Sequence, residues 1–442
     1  MDLERVKQKA LEQYYPDQEE LDRAQETFDN ISNFIEEKHG LESHFAGSAS
    51  RETCRKGDKD IDIFVLFPES TSRQELEEKG LEIGKSVFDN FDGEHHVEYA
   101  EHPYTKGEIL GHEVEIVPCI DTGAENIRSS VDRTPHHTRW AKENLDKQQR
   151  KDVVALKAFL DAQSLYGSSL KIEGFSGYLC EILIAYYGSF EALIDASKSW
   201  EEEKRIDFKD SDKEFESDFV VVDPVDPERN VAAVLSGENY AKYIFEAWNL
   251  YTKPTISGFV REEEFDEFVL KQELDSRGDV LVLKFERPID EVDDIVYPQL
   301  RKLKRLLEKK LVKNDFRVFE SGVHSENVCR VFFELDRHLP EVEVVKGPQV
   351  FHNEKHLRQF ASKYENVFIK EQRVCAKVLR DFTDAQKFLK EFLRGEASVL
   401  KEKGVPNQLA SHVEESKFTD ALDGEEEWLK YLYRKFNCVN QK

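Results

Sequence analysis

The stretch 44–68, HFAGSASRETCRKGDKDIDIFVLFP, places Asp60, Ile61, Asp62 and Ile63 on one short strand. Successive side chains of a strand point to opposite faces, so Asp60 and Asp62 share one face and Ile61 and Ile63 the other. Two carboxylates on one face of an otherwise apolar strand repel each other and lose solvation, and a divalent cation is the usual remedy. Gly47-Ser48 ends the preceding apolar strand, with eleven residues between it and Asp60. A glycine at such a turn lets the backbone approach a phosphate, and the helical turn after it aims N–H groups at the same place. Gly-Ser alone is a common turn, and Asp-x-Asp alone is more often a solvated face. The ordered pair carries the functional reading.

A second alternating strand lies at His112–Pro118. There Glu113 and Glu115 share one face, and Val114 and Ile116 the other. A neighbouring strand with a third carboxylate is what a two-metal site needs, whereas an edge strand with a wet face is the plain alternative. Strand physics does not choose between Glu113 and Glu115. The order Gly-Ser, eleven residues, Asp-apolar-Asp-apolar resembles the nucleotidyltransferase superfamily that includes DNA polymerase β and the poly(A) polymerases. The resemblance implies two Mg²⁺ ions on three strand carboxylates and transfer of a nucleotidyl group.

At 442 residues the chain has room for roughly two to four cored domains. A hydrophobic content of 39% with 30 Phe speaks for folding rather than disorder. The net charge of −27 disfavours nucleic-acid binding over the whole surface but leaves room for a local basic groove. Cys54, Cys119, Cys180, Cys329, Cys375 and Cys438 form no C-x-x-C pair, which leaves a zinc or redox motif without support. The charged start MDLERVKQKALEQ does not read as a signal peptide, and no apolar run approaches about 20 residues. The expectation is a cytoplasmic protein without a membrane partner.

Residues 1–40 read as helices broken at Tyr15-Pro16-Asp17. Asp17 caps the second, whose Leu21, Ala24, Phe28, Ile31 and Ile35 recur at helical spacing. Ser72, with Glu75 three residues on, opens another helix. Residues 126–147 read as a linker holding His136 and His137. The helix after 148 carries Lys157 on its flank, and Tyr166-Gly167 closes it. Residues 175–190 are apolar nearly all round, as in a central helix. Residues 199–218 read as a mobile loop. A strand and a Pro-rich turn then lead to a helix opening near Asn230, with Arg229 at its entrance. From Val280 the order is strand, basic helix at 297–317, then two strands, a βαββ module of the kind RNA-binding proteins use. The basic helix, with Arg301, Lys304 and Arg305, is the best candidate for nucleic-acid backbone contact. The rest reads as mainly helical.

DRTPHH, FSGYLCE, VDPVDPERNVAA, VYPQL and GPQ, in that order, resemble the archaeal-type (class I) CCA-adding enzymes. The resemblance implies addition of C, C and A to the tRNA 3′ end from CTP and ATP without a nucleic-acid template. It places metal binding on Asp60, Asp62 and Glu115. Nucleotide contacts fall on Ser48, Arg51, His137, Lys157 and Tyr166, and base reading on Arg229. It departs at Glu115, where the family usually has Asp, and at His136, where Phe is common. The fold expected is an α+β multidomain chain. Residues 1–147 form a polymerase β-like nucleotidyltransferase head, a mixed sheet with helices. Residues 148–262 form a helical central domain for nucleotide recognition. Residues 263–442 form a tRNA-binding region, an α+β module at about 278–350 and then helices. Expected partners are tRNA, CTP and ATP, with a homodimer as an open assembly. The rivals are an ATP-only polymerase of the same superfamily and an inactive RNA-binding scaffold.

Overall fold

The computed structural model describes residues 2–123, 126–260, 265–289, 291–351 and 354–436. Contacts divide the chain into two compact units, Met1–Glu262 and Glu263–Lys442.

The first unit begins with α1 (Leu3–Tyr14) and α2 (Gln18–His39). Asp17 caps α2 in a reciprocal box with Glu20, which satisfies donors at both ends of that turn. Next come β1 (Ser43–Phe45), the single turn α3 (Gly47–Ser50), β2 (Asp60–Phe67), α4 (Arg73–Asn90), β3 (His95–Tyr99), β4 (Pro103–Ile109) and β5 (His112–Ile120). The strands form one mixed sheet in the order β1-β2-β5-β4-β3, in which only β2 and β5 run parallel. Ile61, Ile63, Val65, Val114 and Ile116 point to one face and bury themselves against Ile31 and Ile35 of α2 and Ile83, Val87 and Phe88 of α4. The carboxylates therefore project from the opposite face.

A second core of the same unit is helical. It is built from α5 (Thr134–Asn144), α6 (Lys147–Ala162), α7 (Gly177–Tyr187), α8 (Phe190–Ser197) and α9 (Gly237–Thr252), with α1 packed among them and the short parallel pair β6 (Lys204–Ile206) and β7 (Phe219–Val221) between α8 and α9. Three expectations are corrected here. The 126–147 linker contains α5, which starts with Pro135 in its first turn, where a missing N–H costs nothing. The 199–218 loop contains β6 and is tied down by Arg205, which donates to the carbonyls of Ser211 and Lys213 and to Asp207. No helix opens at Asn230. Its side-chain oxygen accepts from the N–H groups of Val221 and Ala232, which holds the chain in a turn until Ser236 caps α9.

The second unit comprises α10 (Glu267–Ser276), β8 (Asp279–Glu286), α11 (Asp293–Lys313), β9 (Val318–Ser325), β10 (Val328–Leu335), β11 (Val342–Gln349), α12 (Glu354–Lys363), β12 (Val367–Lys370), β13 (Arg373–Leu379), α13 (Ala385–Phe392), α14 (Ala397–Glu402), α15 (Ala410–Glu414), β14 (Lys417–Thr419) and α16 (Glu426–Phe436). The βαββ order is present, and α11 seats Leu300, Leu303, Leu307 and Leu311 on the sheet β14-β8-β10-β9. The mainly helical remainder is corrected by a second antiparallel sheet, β11-β13-β12. Among the described residues no helix is long and apolar enough to cross a membrane. The five described cysteines are free and buried, and Cys438 lies outside the described residues.

Lys7 of α1 is buried and reaches Asp152 Oδ1 of α6 at 2.9 Å and Glu191 Oε1 of α8 at 2.7 Å. Truncating it strands a buried carboxylate. Lys7→Ala is therefore expected to destabilise this unit by about 3 kcal/mol or more, read as a lower midpoint in urea unfolding.

Candidate active site

Parallel pairing puts Asp60 of β2 beside Glu113 of β5, and Asp62 beside Glu115. The carboxylates are thus neighbours across two strands as well as along them. Burial, and then the charge of Glu115, push the Asp62 carboxyl up to about 6, although Arg51 pulls the other way. Partial burial and Glu113 also raise Asp60. Positive charge is in deficit on this face. Its one direct supplement among the contacts of these acids is Lys106 of β4, whose Nζ touches Glu113 and lies 2.9 Å from Glu115 Oε1.

Gly47 closes over Asp62. Its φ is +68°, and a Cβ there would fall 1.8 Å from Asp62 Oδ2. The Ala46 N–H also donates to the Asp62 carbonyl. The Gly-Ser turn and the second carboxylate are therefore one packed feature. From the turn, Ser48 O accepts from the Thr53 N–H at 3.0 Å, and Thr53 O accepts from Lys157 Nζ at 2.7 Å. Lys157 is corrected from a helix flank to a buried position, 1% exposed. Its ammonium lies 5.9 Å from the centre of the Tyr166 ring. A Cβ at Gly177, in the first turn of α7, would come 3.3 Å from Tyr166 Oη and 3.4 Å from Lys157 Nζ. Lys157, Tyr166 and the start of α7 thus meet at one place.

Arg51 is buried too. Its Nε donates to Glu181 Oε1 at 2.9 Å, and its Nη1 to Thr138 Oγ1 of α5 at 3.2 Å. Thr53 Oγ1 donates to the same Glu181 oxygen at 2.6 Å. Next to Thr138, His137 stacks on Tyr178 with ring centres 3.9 Å apart. Both of these rings reach Asp223, which is fully buried. Asp223 Oδ2 accepts from His137 Nε2 at 2.8 Å and Arg229 Nη1 at 2.9 Å, and Oδ1 accepts from Tyr178 Oη at 3.3 Å and the Val225 N–H at 2.9 Å. Burial alone would raise this carboxyl, but His137, the Val225 N–H and Arg229 together outweigh it and hold it at about 2. Burial lowers His137, so at neutral pH it is an uncharged imidazole whose Nε2–H is given to Asp223. Arg229, expected at a helix entrance, instead sits in a turn closed by Asp223 N–H to Arg229 O at 3.0 Å.

Residues 29–137 match the nucleotidyltransferase domain family, 151–260 the second domain of tRNA nucleotidyltransferases, and 277–415 the C-terminal domain of CCA-adding enzymes. The CCA-adding enzyme of Methanocaldococcus jannaschii is 38% identical over 414 residues, 89% of this chain and 91% of that protein. That of Archaeoglobus fulgidus is 37% identical over 400 residues, 89% and 90% of the two chains. That of Methanosarcina mazei is 40% identical over 366 residues, 78% of each. The chain belongs to the CCA-adding enzyme family.

Asp60, Asp62, Glu115, Ser48, Arg51, His137, Lys157, Tyr166 and Arg229 all lie in the first unit of this family member. The segment 47–53 links the carboxylates to Lys157 on one side and, through Arg51 and Thr138, to α5 and its His137 on the other. Arg301, Lys304 and Arg305 lie on α11 of the second unit. A cavity of ≈ 330 Å³ opens beside Asp60, lined by Arg23, Arg55, Asp58, Lys59 and His112 among others. Sequence reasoning missed Lys106, Thr53 and Glu181. A usable signal for Lys106 was present: a tight turn at Leu110-Gly111 sets Ile109 opposite His112 and hence Lys106 opposite Glu115.

Gly47→Ala meets both a left-handed φ and the Asp62 carboxylate. It is expected to leave the far-ultraviolet circular dichroism of the chain unchanged while nucleotidyl transfer falls at least about a hundredfold, as a displacement near 1 Å at a reacting centre does. A Gly47→Ala variant with wild-type transfer would show that the contact is dispensable.

Proposed function

We propose that this chain adds C, C and A to the 3′ end of tRNA, taking CTP and ATP, releasing pyrophosphate, and working in the cytoplasm. Besides the family, one observation carries the reading. Asp60 and Asp62 stand in register with Glu113 and Glu115 on one sheet face, with the Gly47-Ser48 turn packed on Asp62. In this reading 1–147 is the catalytic head, 148–262 recognises the nucleotide and 263–442 binds tRNA.

Asp60, Asp62 and Glu115 fit two Mg²⁺ ions. They are hard oxygen donors, and Asp62 is held far above the usual carboxylate range by burial and Glu115. Among the described residues no three His, Cys, Asp or Glu side chains converge as a ready-made cage. Mg²⁺ does not require one, since it is commonly held by one or two carboxylates plus substrate phosphates. When bound, the metal supplies a lowered pKa for the tRNA 3′ hydroxyl and charge neutralisation for the leaving pyrophosphate. Asp60, Asp62 and Glu115 are assigned as the carboxylates that would hold the metal. Ser48 and Tyr166 orient the triphosphate by hydrogen bonding. Lys157, buried beside the first turn of α7, gives it a positive charge in a poorly solvated place. Arg51 has Nε and Nη1 committed to Glu181 and Thr138 and offers Nη2. His137 is held by Asp223 and contributes as a neutral group. Arg301, Lys304 and Arg305 are assigned to the tRNA backbone. A groove of ≈ 470 Å³ lined by Arg305, Glu308, Lys309, Val312 and Lys313 lies beside them.

For the base, Arg229 can donate to N3 of cytosine or N1 of adenine, and it has no acceptor for their amino groups. Asp223 is excluded from that second task. A carboxylate offers about four lone-pair sites, and all of Asp223's are engaged. The acceptor is then a tRNA phosphate, a main-chain carbonyl or Asp226. A purely structural Arg229–Asp223 pair is the competing reading.

The experiment uses tRNA lacking its CCA end, with CTP, ATP or both, and sequences of the added tail. The wild-type protein is expected to give CCA only with both nucleotides. A tail of A alone from ATP would favour the rival polymerase. Asp62→Ala is expected to lose transfer by about a thousandfold or more while retaining tRNA binding, and near wild-type transfer in it would sink the metal assignment. Arg229→Ala is expected to lower kcat/KM for CTP and ATP and to narrow their margin over UTP. A CTP-to-UTP ratio equal to that of the wild type would leave Arg229 as Asp223's partner only.

A further inference from the structure

Lys106 is not among the residues that the family resemblance marks, yet it forms ion pairs with both Glu113 and Glu115. Its place is fixed by the hairpin. Leu110 and Gly111 both take positive φ, 53° and 81°, the requirement of a type I′ turn, and this sets Lys106 directly across from Glu115. On the same sheet face Tyr104 gives its hydroxyl to Glu98 rather than to Glu115. Burial works against the ammonium, but its bonds to Glu113 and Glu115 outweigh that, so Lys106 stays a cation. Glu115 is about one-quarter exposed and Glu113 about half.

We propose that Lys106 is a positioning residue: a tethered counter-ion that pins Glu115 and competes with the metal for it, while Glu113 draws the ammonium aside when the metal binds. The inference rests on the reading of Asp60, Asp62 and Glu115 as metal carboxylates. A Glu in the third position has one more rotatable bond than an Asp, and its carboxylate needs a second anchor to stay put. Lys106 is that anchor. It also supplies positive charge to a face that would otherwise hold four neighbouring carboxylates without it. The two acceptors give the lysine two resting places, shared between Glu113 and Glu115, or on Glu113 alone.

This arrangement predicts effects of opposite sign from its two partners. Lys106→Met removes the competitor, so metal binding tightens, by about tenfold for one unit charge a few ångströms away, while kcat falls because Glu115 is no longer held. Glu113→Gln takes away the alternative acceptor, leaves the ammonium on Glu115, and weakens metal binding severalfold. Lys106→Arg keeps the charge and returns metal affinity to the wild-type range. The measurement is a Mn²⁺ titration of the full chain without nucleotide or tRNA, following free Mn²⁺ by electron paramagnetic resonance. Thermal melting of each variant with EDTA establishes that it is folded. Tightening in Lys106→Met together with weakening in Glu113→Gln supports the proposal. Unchanged affinity in both, or weakening in both, overturns it, and if Lys106→Met does not fold, an unchanged or tightened affinity in Glu113→Gln overturns it on its own. Asp62→Ala separates the two levels of inference. If it binds Mn²⁺ like the wild type, the metal reading itself has failed. If it loses Mn²⁺ while Lys106→Met matches the wild type, only the role of Lys106 is lost.

Discussion

The parallel pairing of β2 with β5 is the constraint on which the rest depends. It sets like charges side by side, Asp60 with Glu113 and Asp62 with Glu115. Like charges directly opposite in a sheet oppose pairing, on a scale of roughly 0.2–1 kcal/mol per pair. The same register drives Ile61, Ile63, Val65, Val114 and Ile116 into the core under α2 and α4. Each such side chain contributes about 1.5–3 kcal/mol when fully buried. The apolar face therefore wins by a wide margin, and the acidic face is held in place by what lies behind it. A slip of one residue would exchange the two faces, so the register that forms the core also forms the site.

The segment 47–53 transmits that register to the helical part of the same unit. Gly47 rests on Asp62, the Thr53 carbonyl receives Lys157, and Thr53 and Arg51 share one oxygen of Glu181. The other oxygen of Glu181 is buried without a hydrogen-bond partner. A buried acid with half of its capacity unused is costly to keep. Its two bonds are strong ones, a charge-assisted bond from Arg51 and a short one from Thr53, and they tie α7 to the loop beneath the carboxylates. The cationic side chains of this region are thus largely internal, which reconciles a nucleotidyltransferase with a chain whose net charge is −27.

Much of this was legible in the sequence where the period of the pattern is short and one face is buried. Asp60, Asp62 and Glu115 fall where alternation puts them, and Asp17 caps α2 as its position demands. Legibility failed where side chains rather than periodicity decide the backbone. Asn230 spends its carbonyl on two N–H groups and stops a helix that the following Val-Ala-Ala would favour. Arg205 and Asp207 order a stretch whose composition reads as loop. Lys157 lies on a helix buried nearly all round from 152 to 160, so a flank read from spacing has no meaning there. The β11-β13-β12 sheet leaves Val342, Val344, Ile369 and Leu379 exposed, so its alternation carries little of the in-out signal that marks a strand. The choice of Glu115 over Glu113 came from resemblance, and the structure gives both the same lysine.

Asp223 has a consequence for how such a pocket can change over generations. A single carboxylate, with no lone pair to spare, is the common anchor of His137, Tyr178 and Arg229. If Arg229 reads the base as proposed, a lineage drifting toward a different base cannot exchange the arginine by itself without leaving a buried anion short of a donor and loosening the imidazole that shares it. The neighbouring positions must change together, or in an order that keeps the anion satisfied at each step. Epistasis of this kind narrows the accessible paths and, on the proposed role of Arg229, would act as a ratchet on nucleotide preference.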